Sequence, residues 1–418
     1  MKPPPLKDDC FAMPPGVDWT PVDDALAMLR KRLHCVTEVE EVSLMDAGAC
    51  VLAEDVLAAR SNPPYANSAV DGYGFAFESL GSDEVIELTL AHGRSAAGEP
   101  FEGVVSEGKA LRILTGARVP AGVDTVVLEE DCSVSADRIA FRKGLKQRAN
   151  TRNAGEDVLA RDVVLTAGHV LRPQDIALLA AVGVARVSVR CRLRVAVLST
   201  GDEVVSVGQL ATQSQIYDAN RPMLLQTIRD WGYAPVDLGH VADDPDLVKA
   251  ALDRGAIKAD AILTSGGASA GDEDHVSAVL ASRGAVQTWR IAMKPGRPLA
   301  LALWDGVPVF GLPGNPVAAL VCTLVFARPA CAVLAGAAWQ NPAGFDVPAA
   351  FSKNKKAGRR EYLRARVRNG KAEAFKSEGS GRISGLSWAE GLVALGDEAQ
   401  EISDGDMVRF YPYGSFGI

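Results

Sequence analysis

Five short motifs between residues 199 and 316 combine carboxylates, cations and glycines, and each follows an apolar run typical of a strand. They are Ser199-Thr200-Gly201-Asp202-Glu203, Ile216-Tyr217-Asp218-Ala219-Asn220-Arg221, Ser265-Gly266-Gly267 running to Asp274, Met293-Lys294-Pro295-Gly296-Arg297-Pro298, and Gly311-Leu312-Pro313-Gly314-Asn315-Pro316. Glycines leave backbone amides accessible, carboxylates hold hard cations, and Lys and Arg bind anions. The combination indicates a site for a phosphorylated ligand held together with a divalent metal.

The glycine-rich segment after Ser265 is predicted to approach a ligand closely. Its glycines permit that approach, and a helix predicted to begin near Asp272 directs free amides toward the same place. Asp272 itself is best interpreted as a residue that satisfies this helix end. Asp274 has a second interpretation, because with Glu203 and Asp243 it would supply the oxygen ligands that magnesium prefers.

Two turns add cations and a rigid backbone. Lys294 and Arg297 flank a Pro-Gly turn whose rigidity would aim both cations at phosphate or oxyanion groups; the alternative interpretation is an ordinary surface turn. The segment Pro313-Gly314-Asn315-Pro316 predicts a rigid turn before a helix. Asn315 has a structural interpretation there, as the helix cap.

Three familiar motifs are rejected. Residues 103–109 match a phosphate-binding loop, but Ala110 replaces the Ser or Thr that would hold magnesium, and a strand pattern follows. The Gly379-Ser380-Gly381 segment has the wrong spacing for a dinucleotide loop and lies in no βαβ unit. Residues 267–271 match a nucleophile elbow, but the one later histidine, His275, is on the next helix and badly placed. A serine hydrolase is therefore not expected.

The elements that position the five motifs alternate between strand and helix from residue 191 to about 335. Strands are predicted at 194–199, 233–238, 260–264, near 300 and at 307–310, and helices at 220–231, from 244 and after 272. This alternation predicts a parallel, doubly wound α/β sheet with ligand groups at the carboxyl ends of its strands.

The rest of the chain predicts further domains. Residues 1–17 are interpreted as a disordered leader, 18–60 and 151–190 as an interrupted helical domain, 61–150 as a β-rich insert, 191–341 as the α/β domain, and 342–418 as a small C-terminal β barrel. Within the barrel, a basic strand with period-two alternation at 359–368 is interpreted as a solvated face. The predicted fold class is therefore α/β and multidomain.

Composition limits the kinds of partner. A formal charge of −8 over 418 residues argues against nucleic acid and anionic membranes. The seven cysteines show no CxxC spacing and are interpreted as reduced thiols of a cytoplasmic protein. The N-terminus lacks the apolar core of a signal peptide. The apolar stretch from Val317 to Trp339 contains Arg328-Pro329, so it is interpreted as a buried or interfacial helix instead of a membrane span.

Taken together, the motifs resemble the MoeA family, the molybdopterin molybdenumtransferases, also seen as the E domain of gephyrin. The resemblance runs in family order from about residue 20 to the end of the chain. It is carried by Ser68-Ala69-Val70-Asp71-Gly72-Tyr73, Thr115-Gly116-Ala117, Arg152-Asn153-Ala154-Gly155-Glu156-Asp157, residues 199–203, Asp218-Ala219-Asn220-Arg221, Ser265-Gly266-Gly267 and residues 311–316.

The resemblance implies a four-part subunit that forms a homodimer. Its third domain would resemble the molybdopterin-adenylyltransferase fold. In such a protein, adenylylated molybdopterin is bound, molybdate is inserted into its dithiolene, and AMP is released with the help of Mg2+. Transient contacts with the adenylyltransferase and with downstream cofactor-processing proteins are also implied.

Carried over by position, the resemblance assigns the site residues. Catalytic roles fall on Asp71, Thr115, Glu203, Asp243 and Asp274, of which the last three would bind Mg2+. Substrate-binding or anion-binding roles fall on Gly266, Gly267, Ser269, Lys294, Arg297, Pro313, Asn315 and Ser380. Because Asp71 lies far in sequence from the α/β domain, we expect a cleft completed across the dimer, with Asp71 from one subunit and Asp274 from the other.

Some residues depart from the family pattern, and two other functions compete. Arg297 stands where Lys is usual, His275 where Tyr is common, and Ala268 and Ala270 replace larger apolar residues. One alternative is the adenylyltransferase itself, although the extra β domains argue against it. The other is a non-catalytic scaffold of the gephyrin type, which the intact carboxylates argue against. Tungstate in place of molybdate stays open.

Overall fold

The computed structural model describes residues 19–266, 275–282, 286–296, 298–379 and 381–418. The chain divides into two compact units. The smaller unit is Glu41–Val189, and the larger combines Met1–Glu40 with Arg190–Ile418. The predicted leader, residues 1–17, lies outside the described residues, and the predicted domain boundaries stay predictions.

Several helices begin where the sequence supplies a cap or a proline. Asp244 caps the fourth helix, its carboxylate accepting from Asp246 N and Leu247 N at 2.9 and 3.0 Å, and Pro245 occupies the first turn. The described helices are α1 (Val22–Arg32), α2 (Pro173–Ala181), α3 (Asn220–Asp230), α4 (Pro245–Lys258), α5 (His275–Ser282), α6 (Pro316–Cys322), α7 (Arg328–Leu334) and α8 (Ser384–Trp388).

The smaller unit consists mostly of short strands. Along β5 exposed and buried residues alternate, which places Ile86 and Leu88 in its core. A mixed sheet has the order β7-β4-β6-β5-β9-β8, and three strand pairs (β1 with β12, β2 with β11, β3 with β10) join the beginning and end of the segment. The strands are β1 (Val39–Ser43), β2 (Val56–Leu57), β3 (Asn67–Ser68), β4 (Gly72–Phe75), β5 (Val85–Ser95), β6 (Lys109–Ile113), β7 (Thr125–Leu128), β8 (Cys132–Val134), β9 (Arg138–Arg142), β10 (Thr151–Arg152), β11 (Val163–Leu165) and β12 (Arg186–Arg190).

The larger unit contains the predicted doubly wound α/β sheet, with order β16-β13-β17-β21-β20-β18. Its inner strands are charge-poor and buried, as parallel strands covered on both faces must be. The strands of this region are β13 (Arg194–Thr200), β14 (Val204–Val205), β15 (Ile216–Tyr217), β16 (Ala234–Val241), β17 (Ala261–Ser265), β18 (Val286–Arg290), β19 (Met293–Lys294), β20 (Pro298–Trp304) and β21 (Val307–Leu312).

The sheet differs from the prediction at one side. Strands β16, β13, β17 and β21 are parallel, but β20 and β18 are antiparallel to their neighbours. The cause is the Asp305-Gly306 pair, which joins β20 to β21 with both residues at positive φ. That geometry makes a tight hairpin. The sheet is therefore mixed and not wholly parallel.

The C-terminal part contains the second six-stranded sheet of the larger unit, with a small apolar core. Its order is β19-β24-β26-β28-β22, with β25 beside β24, so β19 from the α/β region joins it. The strands are β22 (Phe345–Pro348), β23 (Lys353–Lys355), β24 (Arg360–Arg368), β25 (Lys371–Ala374), β26 (Gly391–Leu395), β27 (Gln400–Ile402) and β28 (Met407–Pro412).

The predicted solvated face at 359–368 is wrong for two of its cations. Arg359 and Arg364 are buried. The Arg364 guanidinium donates to the carbonyls of Ser377, Gly379 and Arg382 at 2.5, 3.1 and 2.6 Å. Because these carbonyls replace water as hydrogen-bond partners, Arg364 can be buried with its N–H donors satisfied.

The most apolar stretch is a core element. Residues Pro316–Leu334 are long and apolar enough to cross a membrane by length and composition, but 89% of the most apolar window is buried inside the protein. Helices α6 and α7 here are joined by a π-helical turn at Thr323–Ala327.

None of the described cysteines forms a disulfide. Burial raises the pKa of Cys322 and Cys331 to about 12, so these two thiols are structural.

Candidate functional site

The sheet brings four of the five motifs to one edge. Strands β13, β17 and β21 are parallel neighbours that end at Thr200, Ser265 and Leu312. Ser265 is in register with both Ser199 and Leu312. The segments after these three strands therefore meet at the carboxyl edge of the sheet, where α/β sheets bind ligands.

Asn220 joins these segments from the first turn of α3. Its side-chain Nδ2 donates to Ser265 Oγ and to the carbonyl of Gly314, both at 2.7 Å. The residue is 6% exposed. Its Oδ1 is buried and has no hydrogen-bond partner in the described structure. Asn220 thus fixes the positions of two loops, and its Oδ1 can still accept a hydrogen bond from a ligand.

Buried hydroxyls at the same edge also lack partners. Among the described residues, Ser199 Oγ, Thr200 Oγ1 and Thr264 Oγ1 are buried without a hydrogen bond. A buried polar group without a partner is costly, and such groups often mark a site that a ligand satisfies. Together with Asn220 Oδ1 they are four unpaired polar groups at or next to the ends of β13 and β17, and because strand side chains alternate, they lie on both faces of the sheet.

Gly266 shows why this edge requires glycine. Its φ is +97°, and a Cβ there would lie 2.6 Å from the carbonyl oxygen of Thr200. Gly314 lies close by, since a Cβ on it would be 3.6 Å from Gly266 Cα. Both the conformation and the contact exclude a larger residue, so the backbone of the glycine segment packs directly on the end of β13.

The predicted carboxylates lie beyond two neighbouring strands. Asp202 and Asp243 are tied reciprocally: Asp243 N donates to Asp202 Oδ1 at 3.0 Å, and Asp202 N donates to Asp243 Oδ2 at 3.3 Å. His240 Nε2 donates to the carbonyl of Gly201 at 2.7 Å, which further joins these segments. Glu203 lies in the same segment as Asp202, so the two predicted metal ligands that the structure describes lie beyond adjacent strands.

No metal-binding cluster is visible in the described ranges. They contain no group of three or more His, Cys, Asp or Glu residues able to hold a metal ion. The third predicted ligand, Asp274, lies outside those ranges. Magnesium commonly uses one or two carboxylates and completes its shell with water and phosphate oxygens. The donor chemistry of Glu203 and Asp243 fits that pattern.

The Asp218 motif holds the beginning of α3 in place. Asp218 is 4% exposed and accepts from Arg221 N at 3.0 Å and from Arg221 Nε at 3.2 Å. The Arg221 guanidinium also pairs with Asp237 at 2.8 Å and with Ser206 Oγ at 3.1 Å. These bonds fix the entry into α3, and thereby position Asn220.

Lys294 lies in a compact cluster of four charges. Its Nζ is 2.5 Å from Glu378 Oε2 and 4.0 Å from Glu361 Oε2. Lys353 pairs with the other oxygen of Glu378 and lies 3.1 Å from Glu361. We call these four residues the Lys–Glu cluster. The predicted anion-binding lysine is therefore paired with two carboxylates of the C-terminal part.

Asn315 and Pro313 complete the edge beyond β21. Asn315 Oδ1 accepts from Val317 N at 3.3 Å and caps α6, which confirms the structural interpretation. Its Nδ2 faces the C-terminal part, because a Cβ on Gly381 would lie 3.8 Å away. Gly381 therefore lies close to Asn315.

The smaller unit contains a separate acidic turn. Asp71 Oδ1 accepts from Thr115 N at 2.6 Å and from Thr115 Oγ1 at 2.7 Å. These two bonds, the backbone one first, hold the pKa of Asp71 below its usual value. The predicted pair is therefore in contact and its carboxylate is ionised at neutral pH.

Five of the predicted site residues, Gly267, Ser269, Asp274, Arg297 and Ser380, lie outside the described residues. Sequence reasoning assigned no role to Asn220, although it lies within a recognised motif. It also overlooked Thr264, Lys353 and Glu378. The last two carry no motif, and only the packing of distant strands brings them to Lys294.

Comparison with known proteins covers nearly the whole chain. Family models match in three consecutive parts: the MoeA N-terminal region (domain I and II) at residues 20–183, the probable molybdopterin binding domain at 196–332, and the MoeA C-terminal region (domain IV) at 346–413. The molybdopterin molybdenumtransferase of Haemophilus influenzae is 35% identical over 399 residues, covering 94% of this chain and 98% of that protein.

Two further matches agree. The molybdopterin molybdenumtransferase 2 of Mycobacterium tuberculosis is 34% identical over 88% of this chain and 94% of its own length. The crystal structure of a molybdopterin biosynthesis moeA protein from Pyrococcus horikoshii OT3 superposes with a TM-score of 0.83 at 27% identity, covering 95% of this chain and 100% of that one.

Proposed function

This chain belongs to the MoeA family, and we propose that it is a molybdopterin molybdenumtransferase that inserts molybdate into adenylylated molybdopterin and releases AMP. The predicted family and fold class are confirmed. The observation that carries the proposed activity is the presence of four unpaired buried polar groups near the carboxyl edge of the α/β sheet. They are Asn220 Oδ1 and the hydroxyls of Ser199, Thr200 and Thr264.

These groups suit the neutral, polar part of a nucleotide-linked pterin. Asn220 Oδ1 accepts a hydrogen bond, and each hydroxyl can donate or accept one. A ligand bound at the edge would satisfy them and recover the cost of leaving them unpaired. The backbone around Gly266 permits the close approach that a phosphate needs.

Release of AMP requires stabilisation of charge on phosphoryl oxygens and an oriented oxygen nucleophile, from water or molybdate. In the proposal Lys294, with Arg297, binds the anionic groups. Glu203, Asp243 and Asp274 would hold magnesium, which when bound lowers the energy of developing phosphoryl charge. The Asp202–Asp243 contacts keep one of these carboxylates oriented before any ligand arrives.

The test is AMP release from adenylylated molybdopterin, followed with and without molybdate and with and without magnesium. The proposal predicts molybdate-dependent release of AMP with formation of active cofactor. The Asp274→Ala variant should lose it. ATP-dependent adenylylation of plain molybdopterin would instead identify an adenylyltransferase. Inactivity in both assays would favour a scaffold.

We also propose that the cleft is shared across a homodimer, with Asp71 of one copy acting beside Asp274 of the other. The ionised state of Asp71 and its bonds to Thr115 suit a fixed carboxylate at such a site. Mixing inactive Asp71→Ala with inactive Asp274→Ala protein should restore about a quarter of the wild-type sites on random subunit exchange. A mixture that exchanges subunits but stays inactive contradicts the shared cleft.

A further inference from the structure

We infer that Lys294 and Lys353 together form a binding site for a tetrahedral oxyanion, and that the carboxylate of Glu378 occupies this site until the oxyanion replaces it. The inference rests on the proposed function in taking Lys294 as an anion-binding residue. It adds Lys353 as a second binding residue and Glu378 as an internal competitor.

The Glu378 carboxylate lies between the two lysines. Glu378 places one oxygen on each lysine: Oε2 lies 2.5 Å from Lys294 Nζ, and Oε1 pairs with Lys353 Nζ. Two oxygens of one anion thus bridge two ammonium groups. A tetrahedral oxyanion presents two oxygens in the same manner, so the carboxylate imitates one edge of such a ligand.

Departure of Glu378 changes the charge at the two lysines. Glu361 is fixed, because it lies on β24 in register with Lys294 and its side chain is 6% exposed. When the Glu378 carboxylate turns away, one negative charge leaves Lys294 and Lys353, which favours an incoming anion.

The Glu378 side chain can leave the lysines without a change in its backbone. Its side chain is 45% exposed, and it lies in the connection between β25 and α8. The backbone around it is held independently, because Arg364 binds the carbonyls of Ser377 and Gly379. The Glu378 side chain can therefore rotate into solvent while its loop stays in place.

The space next to Glu378 is small and does not extend to both lysines. A cavity lined by Lys294, Arg364 and Glu378, but not by Lys353, has a volume of about 20 Å³. That is room for about one water molecule. A tetrahedral oxyanion is larger, so an oxyanion that contacts both lysines must take the place of the Glu378 carboxylate.

The experiment measures anion binding directly, without the pterin substrate. The purified full-length chain is titrated calorimetrically with sodium molybdate and, separately, with inorganic phosphate at constant ionic strength. If Glu378 occupies the lysines in about 90% of molecules, the Glu378→Gln variant should bind the preferred anion about tenfold more tightly. Tightening for molybdate assigns the site to free molybdate; tightening for phosphate alone assigns it to a phosphoryl group.

A matched control separates competition from a general loss of charge. Glu373→Gln makes the same substitution on β25, five residues before Glu378, at a carboxylate that is 38% exposed and pairs with Arg366 at 2.9 Å. Its anion affinity should equal that of the wild type. If Glu378→Gln binds no more tightly than this control, the competitor role is wrong.

The Lys353 assignment has its own test. In the Glu378→Gln background, adding Lys353→Gln should weaken anion binding about tenfold or more, since one of two partners for the anion is removed. This double variant keeps the charge count of the wild type, which protects the fold. An unchanged affinity would show that Lys353 is not part of the site. Failure of AMP release with anion binding intact would instead reject the proposed function alone.

Discussion

The carboxyl edge of the sheet and the Lys–Glu cluster handle their polar groups in opposite ways. At the sheet edge, neutral acceptors and hydroxyls are buried and unpartnered within the described structure, as at Thr264 and Asn220 Oδ1. In the Lys–Glu cluster, every charge faces an opposite charge. In our proposals, a ligand binds the first region directly, whereas in the second region an anion binds only after Glu378 leaves the lysines.

The difference follows from the cost of burial. Leaving a hydroxyl unpaired costs about 1–3 kcal/mol, which a folded chain tolerates. An isolated buried charge costs far more and must be paired. Unpaired neutral groups can therefore be held in position for a ligand. Buried lysines that bind an anion need a carboxylate of the protein as their partner while the anion is absent.

The largest expected effect tests the backbone of the sheet edge. Gly266→Ala forces φ +97° on a residue with a Cβ and drives it against the Thr200 carbonyl. We expect a loss of about 3 kcal/mol in unfolding free energy, from backbone strain and overpacking together. Gly208→Ala is the matched control, because Gly208 has φ +93° but open space around it. Urea unfolding of both variants measures the difference, and equal losses would mean that the close contact is unimportant.

The next effect concerns Asn220. Asn220→Ala removes two hydrogen bonds and leaves Ser265 Oγ and the Gly314 carbonyl without their partner. We expect the unfolding free energy to fall by about 2 kcal/mol and AMP release to fall about 100-fold. Gln226→Ala on the exposed part of α3, which loses one bond to Asp230, is the control. A variant that is less stable but fully active would remove Asn220 from the site.

A smaller effect separates paired from unpaired hydroxyls on one strand. Ser265→Ala breaks the bond to Asn220 and should cost about 1 kcal/mol. Thr264→Val removes a hydroxyl with no described partner, so its unfolding free energy should stay within about 0.5 kcal/mol of the wild type. Its substrate KM should nevertheless rise. An unchanged KM would mean that the free hydroxyl serves no ligand.

The smallest effect is the pH dependence of the Lys–Glu cluster. Burial works to raise the pKa of Glu378, but the ammonium groups of Lys294 and Lys353 outweigh it and hold the pKa below the usual value. The folded carboxylate thus contributes stability above its unfolded pKa of about 4.3, and that contribution is lost as pH falls through the lower folded value.

We expect this contribution to be under about 1 kcal/mol, because the side chain is nearly half exposed. Urea unfolding of the wild type and Glu378→Gln between pH 7 and pH 3 measures it. The two stability curves should converge toward the acid end. Parallel curves would show that Glu378 is not held by its lysines.

Much of the fold follows from local patterns in the sequence. Apolar runs and capping residues predict the core strand Arg194–Thr200 to within one residue, and they predict the start of helix Pro245–Lys258. The order of the motifs carries the family resemblance. The antiparallel β20–β21 hairpin was missed although the Asp305-Gly306 pair is a local hairpin pattern.

Less of the candidate site than of the fold follows from local patterns in the sequence. The sequence by itself determined that glycines and carboxylates follow the ends of strands, and that Asn315 caps a helix, because those features depend on neighbours in the chain. Only the tertiary structure decided that Asn220 joins Ser265 and Gly314, which lie 45 and 94 residues away. It alone placed Glu378 on Lys294, across 84 residues. The reason is physical: local propensity sets where an element begins and ends, whereas strand order and packing set which distant side chains meet.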